Sequence, residues 1–122
     1  MRIFKTKGVG RFVRRERIAD ASLKGAIERA ERGIIDADLG GNLIKQRVAR
    51  SGEGRSGGYR MVVAYRTQER SFFLYGFAKN DRDNIEDDEL QALRIIGANW
   101  LAASDEVVAQ AIDAGDLQEI EA

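Results

Sequence analysis

Residues 43–79 read LIKQRVARSGEGRSGGYRMVVAYRTQERSFFLYGFAK: three runs of strand-forming residues, joined by a Gly/Ser/Arg loop and a short polar turn. A period of two divides each run into two faces. In Leu43 to Arg50, Lys45 and Arg47 point the same way, opposite Ile44, Gln46 and Val48. In Arg60 to Thr67, Arg60, Val62, Ala64 and Arg66 oppose Tyr59, Met61, Val63 and Tyr65, and in Ser71 to Lys79, Phe73, Tyr75, Phe77 and Lys79 alternate with Phe72, Leu74, Gly76 and Ala78. Connections this short predict an antiparallel meander. Arg or Lys recurs through all three runs, which leaves two readings open. The charges either discourage sheet-to-sheet aggregation or form a surface for a polyanion.

Upstream, Arg2 to Thr6 makes a short strand ended by Gly8 and Gly10. A basic helix follows from Arg11 to Ile18, with Arg11, Arg14, Arg15 and Arg17 on a solvated face and Phe12 and Val13 turned inward. Asp20 caps a second helix in which Leu23, Ala26, Ile27, Ala30 and Ile34 recur at helical spacing, with Gly33 at its end. Downstream, Asn80 to Asp83 is a turn, and Asn84 caps a helix that has Asp87 at the capping-box position and runs to about Ala102. Leu90, Leu93, Gly97, Trp100 and Leu101 form its apolar stripe. Ser104 caps a short helix to Gly115, and Asp116 to Ala122 is an edge strand or a frayed end. The expected fold is α+β, a single domain over 1–122 with helices packed on one face of an antiparallel sheet and an acidic helical C-terminal segment from about 104.

The chain has 122 residues, 43% of them hydrophobic and 33% charged. That suits one domain able to bury roughly two-thirds of its unfolded surface. It contains neither cysteine nor histidine, which removes disulfides, thiolate nucleophiles, Ser-His-Asp and Cys-His machinery, and histidine-rich zinc sites. Any catalysis rests on Lys, Arg, Tyr or carboxylates. No signal peptide or membrane span is evident, so a soluble, cytoplasmic protein is expected. The formal net charge of zero is unevenly spread: residues 1–79 hold 18 Lys/Arg against 8 Asp/Glu, and residues 80–122 hold 2 against 12. A basic body and an acidic tail describe either a nucleic-acid surface beside a counter-charged segment or two halves that neutralise each other.

If Lys45 and Arg47 share an open face with Arg60 and Lys79, four cations line a shallow groove suited to a phosphodiester backbone. Tyr59 or Tyr75 could stack on an exposed base, which favours single-stranded RNA over duplex DNA. Arg50, Arg55 and Arg82 are further candidate RNA contacts. The loop RSGEGRSGG lacks the P-loop pattern and reads first as a mobile hairpin loop. Asp81, Asp83, Glu86, Asp87, Asp88 and Glu89 are explained as helix-start charge, with no Ca-loop pattern among them and no metal or other cofactor expected.

The order β, α, α, β, β, β, α, with GGYRMVVAY followed by a strand ending FLYGFAKNDRDNI and a helix beginning DDEL, resembles the RelE/ParE superfamily of type II toxins. The likeness is nearest to the RelE-type and HigB-like messenger-RNA interferases. It implies a metal-independent endoribonuclease that cleaves mRNA on the ribosome and is neutralised by a cognate antitoxin, often of helix-turn-helix type. It also implies catalytic positions at Lys45, Arg47, Arg60 and Lys79, with Arg60 and Arg47 stabilising charge and Lys45 or Lys79 moving protons. Asn80 and Glu86 stand where some relatives carry an arginine and a tyrosine. The acidic end after Trp100 offers a cover for the basic groove. A ParE-like gyrase inhibitor and a non-catalytic, toxin-like co-repressor are the alternatives.

Overall fold

The computed structural model describes residues 1–49, 58–82 and 84–121, organised around a six-stranded sheet. The chain enters as β1 (Arg2–Thr6), passes through α1 (Lys7–Glu16) and α2 (Asp20–Glu31), and lays down β2 (Ala37–Gly40), β3 (Leu43–Val48), β4 (Tyr59–Arg66) and β5 (Arg70–Ala78). It ends with α3 (Asp87–Ala102), α4 (Asp105–Ala114) and β6 (Leu117–Ile120). The α+β class holds, and β3, β4 and β5 form the expected antiparallel meander. In space the strands run β2-β3-β4-β5-β1-β6. The sheet is therefore mixed rather than antiparallel throughout: β1 is parallel to β5 and antiparallel to β6, with the long path through α1, α2 and β2–β4 as the crossover that a parallel neighbour requires.

The helices cover both faces of the sheet, not one. α1 and α2 bury Val9, Phe12, Val13, Leu23, Ala26 and Ile27 against Ile44, Val48, Tyr59, Met61, Val63 and Phe73. On the opposite face Leu101 of α3 and Val108 and Ala111 of α4 pack on Phe4, Leu43, Val62, Ala64, Phe72 and Leu74. The reason lies in the strands themselves. Met61, Val62, Val63 and Ala64 are consecutive and all fully buried, as are Phe72 and Phe73, and a strand apolar on both sides needs a layer on each. Gly97 lets α3 settle closely, since a Cβ there would lie 3.0 Å from Ala64 Cβ and 3.1 Å from a Leu43 methyl.

Several boundaries shift for identifiable reasons. α1 begins at Lys7 and absorbs both Gly8 and Gly10; a Cβ at Gly10 would come within 3.1 Å of Gln118 Oε1 on β6, so this glycine permits a close approach instead of ending a strand. Asp20 is the first residue of α2, not its cap, and its carboxylate takes Lys5 Nζ at 2.7 Å. Ile34 lies beyond the helix and is exposed, because Gly33 turns the chain at φ +83°. α3 is capped at Glu86, whose N–H donates to Glu89 Oε1 at 3.0 Å. Ser104 caps α4, its Oγ accepting from Val107 N–H at 3.2 Å, and the residues after Gly115 form β6.

One buried polar side chain ties the layers together. Gln46 Nε2 donates to Ala26 O (2.9 Å) and Ile34 O (3.1 Å), while its Oε1 accepts from Asp36 N–H (2.8 Å). This fixes the connection after α2 against β3, beside Arg47.

Candidate nucleic-acid interface

The register of the meander assembles the cationic face. On β3, Lys45 and Arg47 alternate onto the α3 side; Arg47 lies directly opposite Arg60 on β4, and Arg60 opposite Phe77 on β5. Val62 pairs with Tyr75 and Val63 with Phe73, which leaves Leu74 as the extra residue of a β-bulge. The bulge reverses the alternation of β5. Phe73 belongs to the α1/α2 core while Tyr75 packs against the α3/α4 core, so the expected grouping of Phe73 with Tyr75 and Phe77 does not hold. Lys79 follows β5, is exposed, and donates its N–H to Gly58 O at 3.2 Å. Arg47, Arg60 and Lys79 thus lie at one end of the meander, with Lys45 one step inward.

Arg60 is the unusual member, 7% exposed. Its pKa is held below the usual arginine value by burial first and then by repulsion from Arg47, with Asp36 acting in the opposite sense. Two guanidinium-bearing residues facing each other, one of them withdrawn from water, create a concentrated positive field that an anion would relieve. Asp36 also orders Arg47: its Oδ2 accepts from Arg47 N–H at 2.6 Å, and Arg29 donates to Arg47 O. Asp36 carries no sequence signal for this role, sitting in what reads as a connecting segment.

A second cationic element comes from the turn after β5. Arg82 forms a two-pronged pair with Glu89 (3.0 and 2.5 Å), donates from Nε to Asn84 O (2.9 Å), and donates from Nη1 to the Tyr75 hydroxyl (3.1 Å). Its guanidinium lies 5.7 Å from the Phe77 ring centroid and 6.0 Å from that of Tyr75. Glu89 is consequently held down at a pKa of about 2, chiefly by Arg82 and then by the backbone of Glu86, while the Arg82 value is raised, chiefly by Glu89 and then Tyr75. Glu89 thus fixes Arg82 beside Phe77, a role not visible in a sequence where it reads as one of six helix-start acids.

The structure brings Lys45, Arg47, Arg60, Tyr75 and Arg82 onto one side of the sheet, with Lys79 at its margin. Tyr59 is a correction. Its ring is 3% exposed and lies on the opposite side, edge-on to Phe12 at 5.7 Å with its hydroxyl donating to Glu16 at 3.2 Å, so it cannot stack on a base in that groove. Arg50 and Arg55 lie outside the described residues. The acidic C-terminal segment is also placed differently from expectation. Asp105 pairs with Arg70 (2.5 Å) and Glu119 with Arg2 (2.9 Å), at the opposite end of β5 from Phe77, leaving the Arg47/Arg60 end uncovered by these acids. Among the described residues, no helix is long and apolar enough to cross a membrane, and no group of three or more acidic side chains converges as a metal site.

Comparison with known families gives a match over nearly the whole chain. A family model described as the RelE toxin of the RelE / RelB toxin-antitoxin system matches residues 1–120. No curated protein matches the chain.

Proposed function

The chain belongs to the RelE family, toxins of toxin-antitoxin systems, and from that premise we propose that it is an endoribonuclease acting on messenger RNA at the ribosome. An antitoxin partner goes with the family, and a helix-turn-helix antitoxin is the form proposed here. The observation that carries the nuclease reading is the buried Arg60 directly opposite Arg47 in the β3–β4 register. The repulsion between the two cations is one that a bound phosphodiester would offset.

In the proposed reaction the ribose 2′-OH loses its proton to a general base and attacks the adjacent phosphorus. The new O2′–P bond forms as the P–O5′ bond breaks, and the departing O5′ takes a proton from a general acid. Arg60, assisted by Arg47, neutralises the extra negative charge on the non-bridging oxygens. Lys45, at the inner end of the cationic row, and Lys79, at its margin, supply the base and the acid. Arg82 and Tyr75 hold the strand beside the reacting phosphate, Arg82 by charge and Tyr75 by its ring.

Expression without the antitoxin should arrest growth and leave messages cut at translated codons. Arg60→Ala should abolish both effects while the purified variant keeps its wild-type circular dichroism. Arrest with intact messages overturns the nuclease reading; inhibition of purified gyrase in a supercoiling assay would assign the arrest to that target instead.

A further inference from the structure

α1 carries more positive charge than its packing requires. Lys7, Arg11, Arg14, Arg15 and Arg17 are all exposed around the buried Val9, Phe12 and Val13. Among the described residues no carboxylate pairs with Arg11, and Arg15 makes only a 3.5 Å contact with its neighbour Glu16 while its guanidinium lies 5.5 Å from the Phe12 ring centroid. This charge does not face bulk solvent on all sides. Beyond Phe73, β5 has no β1 partner, and between α1 and this part of β5 lies a cleft of about 330 Å³ lined by Gly8, Arg11, Phe12, Arg15, Tyr75 and Gly76 among others. That is near the lower end of the small-ligand range, roughly 300–1,000 Å³.

The cleft lies on the α1 side of the sheet, and Tyr75 at the edge of β5 joins it to the cationic face on the other side. Tyr75 lines it and also takes the hydrogen bond of Arg82, whose guanidinium stands over Phe77, the direct neighbour of Arg60. Gly76 lies between Tyr75 and Phe77 and keeps this edge thin: a Cβ there would fall 2.9 Å from the Phe12 ring. We infer that RNA leaving the Arg60 site crosses the edge of β5 at Tyr75–Gly76 and enters this cleft, where Arg11 and Arg15 bind the phosphate of a flanking nucleotide. The inference rests on the ribonuclease reading and adds to it a subsite that selects for strand length instead of for the cleaved bond. A phosphodiester backbone is favoured over an acidic protein segment because the cleft combines two guanidinium groups with an aromatic ring, as single-strand grooves do.

The test uses fluorescently labelled, fully 2′-O-methylated single strands, about four and about twelve nucleotides long, which lack the attacking hydroxyl; the lengths span the site sizes common for single-strand grooves. For wild type, the longer strand should bind more tightly. Arg11→Ala/Arg15→Ala should weaken the longer strand by about tenfold, leave the shorter strand unchanged, and lower the salt slope on the longer strand by about 0.7, the share of one lost phosphate. Arg11→Lys/Arg15→Lys should restore most of both. Equal losses on both strands, or none on the longer one, overturn the subsite while leaving the nuclease reading intact. Unchanged RNA binding with a weakened antitoxin complex overturns it in favour of a protein partner. A wild-type chain that binds neither strand overturns the subsite, whereas the nuclease reading itself stands or falls on the message-cleavage assay.

Discussion

Arg60 occupies a position where burial opposes its charge. An arginine that is 7% exposed and faces Arg47 carries its charge against both burial and repulsion, with Asp36 acting in the opposite sense. Arg60→Lys keeps the charge but loses the planar, forked donor set, so toxicity should fall by about tenfold to a hundredfold, against about a hundredfold to a thousandfold for Arg60→Ala; titrating inducer against growth rate separates the two. Arg82 and Glu89 give a prediction in pH. The carboxyl of Glu89 has a folded pKa of about 2 against 4.5 for an ordinary glutamate, so its pairing stabilises the fold fully above about pH 4.5 and that contribution is lost as pH falls toward 2. Denaturation of wild type and Glu89→Gln should therefore give stability curves that differ at neutral pH and converge near pH 2; parallel curves would show that the pair contributes nothing. Lys45 beside Arg47 was legible from alternation alone, whereas Arg60 opposite Arg47 depends on the strand register and Lys79 follows the end of β5. Asp36 and Glu89 were not, because their roles depend on which arginine the fold brings to them.

At the scale of elements, β5 sets the geometry of the site through its bulge. The run FFLYGF is apolar throughout, so no polar residue marks where the alternation reverses. The same continuity hid the second helical layer, since an apolar strand face does not reveal which helix will cover it. Gly76→Ala tests the resulting packing. The added methyl meets the Phe12 ring and Met61 Sδ at 2.9 and 2.7 Å, and overpacking should outweigh the modest gain in strand propensity, for a net loss of about 1–2 kcal/mol in urea denaturation. Gln46→Leu keeps the volume but leaves the Asp36 N–H and Ile34 carbonyl without their partner, at a cost of about 2–3 kcal/mol. Because the Asp36 segment also holds Arg47 N–H, growth arrest should weaken even at a temperature where the variant remains folded.

For the whole molecule, charge is segregated along the chain but not across the fold. Two of the acids near the C-terminus, Asp105 and Glu119, pair with Arg70 and Arg2 at the end of β5 away from Arg60. β6 does more than carry those acids. It buries Leu117 and Ile120 and pairs with β1 along its outer edge. Deleting residues 117–122 removes two apolar side chains worth about 1.5–3 kcal/mol each from a fold whose total stability is on the order of 5–15 kcal/mol, and it bares the edge of β1. The truncated chain should lose its cooperative thermal transition and aggregate at concentrations where the full chain stays monodisperse. The placement of β1 also sets a clock. One of its neighbours is β5 and the other is β6, so the first strand to be synthesised is flanked on both sides only after the last strand has been made. At about 5–20 residues per second, the interval between them is on the order of ten seconds. Throughout its own translation the chain is an incomplete sheet, and the toxin fold closes only after residue 120 has been added.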